Sequence, residues 1–298
     1  MIQFGTNPIA WANDDDQTLG ADIPTERILA EAGHLIGFDG IENGHRWPQD
    51  DPAALKQLLA GYGLQFISGW HSLNLLAHSV EDEKKAIQPH LDKLKHNGCK
   101  VCIVCETSNS VQGLSKPLTE RPTLDAAGMQ DFASKVEEIA QYCADQGIDL
   151  VYHHHMGTVV QSPEDIDAFM AAVGPATKLL FDAGHCYFGG GDPAEVLSKY
   201  ASRVAHFHAK NVRPAVRAKV EAEGLSFMDG VRSSVFTVPG DQEGGIDFEP
   251  LLKILKEADY DGWIVIEAEQ DPDLRNPLMY QTLGLHTLKR IACDAGLI

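Results

Sequence analysis

The chain has 298 residues, 44% of them hydrophobic, and a formal net charge of −19 from 43 acidic and 24 basic side chains. Nucleic acid and anionic membrane surfaces both require clustered positive charge, so this balance argues against either as a partner. No run approaches the ~20 apolar residues of a membrane span, and MIQFGTNPIAW at the amino end lacks the basic-then-apolar pattern of a secretory signal.

Six cysteines are too few for a disulfide scaffold in a chain of this length, which with the missing signal predicts a cytoplasmic protein. Cys99, Cys102 and Cys105 have a spacing that invites a metal-cluster reading. Cys102 and Cys105 fall inside KVCIVCE, however, and that apolar run reads as a buried strand in which cysteine serves as a small hydrophobe.

Short β-rich runs alternate with helical patterns along the whole length. IQFGTN (2–7) comes first, and a helix containing Ile28, Leu29 and Leu35 leads to GFDGIEN (37–43). A helix around Ala54, Leu55, Leu58 and Leu59 precedes LQFISGW (64–70), and the amphipathic stretch 81–97 precedes KVCIVCE (100–106). A helix over 124–146 then leads to DLVYHHH (149–155), followed by KLLFDAG (178–184), RVAHFHAK (203–210) and WIVIEAE (263–269). Gly37, Gly63, Gly98, Gly147 and the pair Asp261-Gly262 stand where helices must stop before strands. Eight such alternations predict an α/β fold, a (β/α)8 TIM barrel occupying residues 1–298 as one domain. A doubly wound open sheet would show a glycine-rich phosphate loop after the first strand, and GTNPIAW is not one.

The connections 107–123 and 211–250 exceed ordinary loop length, and on the carboxyl face of a barrel such segments are where substrate contacts are built. SFMDGVRSSVFTVPGD (226–241) has the mixture of aromatics, glycine and charge expected of a closing flap.

Side chains alternate faces along a strand, so Val151, His153 and His155 share one face while His154 points the other way. The next three strands end similarly: Asp182 with His185 just beyond, then His206, His208 and Lys210, then Glu267 and Glu269. In a barrel these ends converge, and an unpaired buried carboxylate costs several kcal/mol, so the groups must be paired or bound to a cation. Mixed imidazole and carboxylate donors fit a divalent metal, with Mn2+ or Co2+ favoured and Mg2+, Fe2+ or Zn2+ open.

A set of motifs carries a family resemblance: GTNPIAWANDD (5–15), GFDGIENG (37–44), SGWHS (68–72), HHHMGTVVQ (153–161), FDAGHCYFGGGDP (181–193), HFHAKNVR (206–213), FTVPGD (236–241) and GWIVIEAEQDP (262–272). The chain resembles the xylose-isomerase-like superfamily of sugar isomerases and epimerases. Along nearly its whole length it is similar to the inosose dehydratases within it.

The resemblance implies a divalent ion held by Glu, Asp, His and Glu from strands five to eight. The last three fall on Asp182, His208 and Glu267, and the first on His153, a departure from the superfamily pattern, with His155 the runner-up. It further implies a lyase removing water from 2-keto-myo-inositol to give a trihydroxycyclohexane dione, the alternative being ketose isomerisation or epimerisation on the same centre. For that reaction Glu267 or His155 is expected to take the α-proton, and His185 to protonate the departing hydroxyl. Lys210 would supply charge near the enolate oxygen or form a salt bridge to Glu269. Asn7, Trp11, Glu42, Trp70 and Glu269 are expected to line the polyol ketone. Asn211 stands where the dehydratases carry Asp, and the loop continues through Gln242 to Gly245, longer than theirs. A homo-oligomer stays open.

Overall fold

The computed structural model describes residues 2–298. Its parallel strands occupy the predicted order: Gln3–Thr6, Gly40–Ile41, a third strand in two pieces (Gln65–Phe66 and Trp70–Leu73), Val101–Glu106, Asp149–His153, Lys178–Asp182, Val204–His208 and Trp263–Ile266. The first strand pairs with the eighth and the second, and the pairing continues around the curled sheet, which is the TIM barrel expected.

Two expectations about the strands change in detail. The second strand is only Gly40–Ile41, and the third is interrupted at Ile67, Ser68 and Gly69. Its first piece pairs with the second strand and its second piece with the fourth, so the sheet closes through the covalent chain instead of a continuous ladder. A β-carbon on Gly69 would lie 2.8 Å from Asn43, which leaves glycine to carry the chain through this switch.

Alternation along the strands separates two apolar regions. Val101, Ile103, Val151 and Leu180 fill the barrel interior, whereas Leu150, Tyr152, Leu179 and Phe181 face outward into the layer covered by helices. Near the floor, β-carbons at Gly5 and Gly40 would strike Ile67, so these two glycines leave room for its side chain. In the seventh strand a register shift at Ala205 opposite Leu179 and Leu180 brings His206 beside Leu180 and His208 beside Asp182.

The helices start where capping chemistry is available. Ser79 accepts from the Asp82 amide at the head of Val80–Asn97, whose first turn carries Glu81, Asp82 and Glu83. Asp125 caps Ala126–Ala144, and Ser162 with Asp165 forms a capping box on Pro163–Ala172. No helix among the described residues is long and apolar enough to cross a membrane.

The segment 211–250, expected as a loop with a closing flap, is folded. It holds helices Pro214–Glu223 and Phe227–Arg232 and an antiparallel pair formed by Asn211–Val212 and Phe236–Thr237. Phe227, Val231, Val235 and Phe236 are buried in a small core of their own. Arg213 ties this layer together with all five guanidinium N–H donors. Nε donates to Glu243 (2.8 Å), Nη1 to the carbonyls of Ser234 and Phe236 (2.7 and 2.8 Å), and Nη2 to Thr237 and Asp241 (2.9 and 2.7 Å). Asn211 is structural here: its carbonyl oxygen accepts from the amides of Val212 (2.8 Å) and Ile246 (3.0 Å), which anchors the long loop.

Candidate functional site

The strand alternation predicted for the fifth to eighth strands brings four side chains together at the carboxyl face. One atom each of His153, Asp182, His208 and Glu267 lies within 4.8 Å of the others, and all four residues are buried. His208 Nδ1 is 3.4 Å from Asp182 Oδ2 and in contact with Glu267 Oε2, and His153 Nε2 is 3.7 and 4.0 Å from the same two oxygens. Asp182 Oδ2, His208 Nδ1 and Glu267 Oε2 have no hydrogen-bond partner despite burial. Atoms about 2.1 Å from a common tetrahedral ion lie roughly 3.4 Å apart, so these donors fit a divalent metal of the N/O-preferring kind. His155 does not join this group; the nearer imidazole on the fifth strand is His153.

Surrounding bonds fix how each donor points. His153 Nδ1 is bonded to the His154 carbonyl at 2.6 Å, which leaves Nε2 with the lone pair. His208 Nε2 donates to Glu42 Oε1 (3.0 Å), which also accepts from His206 Nε2 (2.7 Å), while Glu42 Oε2 accepts from Asn7 Nδ2 (2.8 Å). A carboxylate behind an imidazole in this way sets its tautomer and raises its basicity toward a metal. His154 faces away, its Nε2 accepting from the Asp182 amide at 3.3 Å.

Lys210 is buried between the acids. Its ammonium donates to Glu269 Oε1 (2.8 Å) and Glu267 Oε1 (3.3 Å), lies 3.0 Å from His185 Nε2, and is 4.4 Å from the centre of the Phe236 ring. The salt bridge to Glu269 that the sequence left open is therefore present.

The electrostatics follow from burial set against these charges. Burial disfavours charge on His208, but Glu42 and Glu267 on either side outweigh it and push its proton affinity well above the usual imidazole range. Burial would raise Glu42, yet His208 and His206 bring it down to about 2. Glu267 is opposed by burial and held well below the carboxylate range by Lys210 and His208. Glu269 goes the other way: burial raises it to about 7, with Lys210 only partly offsetting. Burial, then His153 and Lys210, lowers His155 to about 3, so its imidazole is neutral.

A cavity of about 480 Å3 opens above this group, lined by Asn7, Glu42, Trp70, His153, His155, His208, Glu267 and Glu269 among others. Trp70 bonds through Nε1 to Ser72 (2.9 Å), and its ring lies 5.6 Å from those of His153 and His155. Asn7 and Glu42 line the cavity but spend their polar atoms on each other, on His206 and His208, and on the Ile9 amide.

Two expected positions are corrected. Trp11 does not line the polyol side: it is fully buried in the outer core, where its Nε1 donates to Glu31 at 2.7 Å. His185 is not placed as an acid. It is fully buried off the cavity, with the Met156 amide against Nδ1 (3.2 Å) and the Lys210 ammonium against Nε2, and burial with His155 and Lys210 drives it well below the imidazole range. Phe227 and Phe236 pack on its ring.

Sequence reasoning missed Asp14, Asp15, Asn43, His45, Gln49 and Gln112, which line the cavity rim. The acidic run after the first strand is a legible signal, and His45 meets Asp14 at 2.6 Å. The three cysteines of the 99–105 stretch are buried and free, and no metal-type group among the described residues includes them.

A family model described as xylose isomerase-like TIM barrel matches residues 30–286. The chain is 40% identical over 296 residues to the rhizopine catabolism protein MocC of Rhizobium meliloti, covering 99% of this chain and 90% of that protein. It is 41% identical over 300 residues to the inosose dehydratase of Clostridium botulinum (strain Alaska E43 / Type E3), covering 98% and 97%. Among solved structures it matches the probable 3-DHS dehydratase AsbF of Bacillus anthracis with a TM-score of 0.69 at 15% identity, over 96% of this chain and 98% of that one, a likeness of fold. Dehydratase relatives at this identity over the whole length make the chain an enzyme of the lyase class. It belongs to the xylose isomerase-like TIM barrel family.

Proposed function

We propose that the chain catalyses metal-dependent loss of water from 2-keto-myo-inositol (inosose), giving a trihydroxycyclohexane-1,2-dione, with residues 1–298 acting as one catalytic barrel domain. The observation that carries this reading is the meeting of four ligand-type atoms, from His153, Asp182, His208 and Glu267, at the edge of a cavity large enough for one polyol ring. The names of the relatives, inosose dehydratase above all, support the substrate.

A divalent ion held by those four residues would supply Lewis-acid stabilisation for the negative charge that develops on a ketone oxygen. The chain's own groups account for the proton traffic. His155 donates Nδ1–H to the Met156 carbonyl (2.9 Å), so Nε2 carries the lone pair, and burial keeps the ring neutral. By position it is the group placed to take the α-proton, with the Glu267 charge offsetting part of the burial that opposes a charged ring. Glu269 replaces His185 as the acid: its Oε2 has no partner, and burial keeps its proton available near neutral pH for the departing hydroxyl. Lys210, at 2.8 Å, offsets the charge Glu269 acquires when that proton leaves. One proton enters His155, one leaves Glu269, the hydroxyl departs as water, and solvent exchange resets both groups. Trp70 offers an apolar surface to the polyol ring.

Ketose epimerisation on the same centre is the weaker reading, because it employs two bases and His153 stands where the superfamily carries a carboxylate.

The test is metal depletion and add-back with 2-keto-myo-inositol, following the ultraviolet absorbance of the dione. Activity should vanish with chelation and return best with Mn2+ or Co2+. Full activity in stripped protein would overturn the metal reading, and near-normal turnover by Glu267→Gln would remove that residue from the centre.

A further inference from the structure

A second group of ligand-type atoms lies beside the first and shares none of its residues. One ring nitrogen each of His155 and His185 and one oxygen of Glu269 lie within 4.8 Å of one another, with all three side chains buried. Two imidazoles and a carboxylate are the donors of a divalent-ion site. This one has an occupant from the chain itself. Lys210 Nζ is 2.8 Å from Glu269 Oε1 and 3.0 Å from His185 Nε2, and it also reaches toward the first group, 3.3 Å from Glu267 Oε1 and 3.8 Å from Asp182 Oδ2.

Resting on the metal reading above, we propose that Lys210 is the permanent second cation of a two-cation centre. Its ammonium lies against two of the three donors, His185 Nε2 and Glu269 Oε1, so the chain takes up one divalent ion and not two. Paired metal ions in enzymes commonly sit about 3.5–4 Å apart around shared carboxylates, and Asp182 and Glu267 face both the first donor group and the ammonium in that manner. The path of the lysine is built into the backbone. A β-carbon on Gly184 would lie 2.4 Å from Lys210 Cγ, so the residue after Ala183 must lack a side chain for the stem to reach its place. Phe236, 4.4 Å from the ammonium, closes it off with a ring face. A tethered charge cannot be lost to chelators or replaced by the wrong ion, and it positions Glu269 whatever the metal supply.

The experiment counts Mn2+ per chain, by elemental analysis after equilibrium dialysis against millimolar Mn2+, and records the Mn2+ paramagnetic resonance spectrum. Wild type is expected to hold one ion with an isolated-ion spectrum. Lys210→Met is expected to hold two, with the broadened spectrum of an interacting pair, and adding Glu269→Gln should return the count to one. Lys210→Ser, which leaves polar space, is the second variant should the first fail to fold by circular dichroism. Folded Lys210 variants that still hold one ion would overturn the inference while leaving the metal reading intact, and so would a wild-type count of two. A wild-type count of zero would remove the metal reading and this inference with it.

Discussion

Glu42 sits at the end of the second strand, 164 and 166 residues before the two histidines it holds, and its removal should be felt as lost metal affinity. In Glu42→Gln an amide oxygen in the Oε1 place still accepts from His206 and His208 but without the full negative charge behind them, while the amide N–H2 is presented to Asn7 Nδ2, itself a donor. The carboxylate now holds three hydrogen bonds of 2.7 to 3.0 Å in a side chain 2% exposed. Replacing a carboxylate behind a metal-binding imidazole typically costs 10–100-fold in affinity, about 1.4–2.7 kcal/mol. The assay is competition for Co2+ or Mn2+ against a chelator of known strength, with circular dichroism to confirm folding. The dissociation constant should rise about tenfold or more while the count of bound ions stays the same. An unchanged constant would mean that Glu42 does not orient His208 toward an ion, and the reasoning from the carboxylate–imidazole pair would fail.

A pH profile tests Glu269: a carboxyl raised to about 7 is protonated below that value and ionised above it, so a proton-donor role weakens as pH rises through 7. Glu269→Gln should lower kcat and abolish that alkaline limb, and a limb that persists would assign it to another group. Trp70→Ala should raise KM roughly 3- to 10-fold with little change in kcat, as befits a lost ring contact. Trp11→Phe, by contrast, should cost about 1 kcal/mol of stability in a denaturant titration, through the lost bond to Glu31, and leave KM alone. A marked rise in KM would return Trp11 to the substrate side. Arg213→Lys gives up at least two of five bonds, three of them buried, and should cost about 2 kcal/mol by the same titration. Stability equal to wild type would show that the layer over the barrel does not depend on the guanidinium.

The sequence by itself determined the barrel and the strand ends, because both are written in local periodicity. Alternation of two along a strand placed His153, Asp182, His208 and Glu267 on inward faces without knowledge of any neighbour, and helix caps and glycine stops marked the elements between. What only the tertiary structure decided involves partners from distant parts of the chain. His185 reads as a cavity acid in the sequence, and the ammonium of Lys210 together with Phe227 and Phe236 makes it a buried neutral ring. Trp11 looks like a ring for stacking on substrate until Glu31 claims its indole N–H inside the outer core. The shift at Ala205 and the break at Ser68 are set by how neighbouring strands must curve and pair, which no window of one strand contains. The choice between a salt bridge and a catalytic charge for Lys210 was undecidable locally for the same reason: a buried cation takes its role from whichever acids the fold brings within about 3 Å, and here those are Glu267 and Glu269.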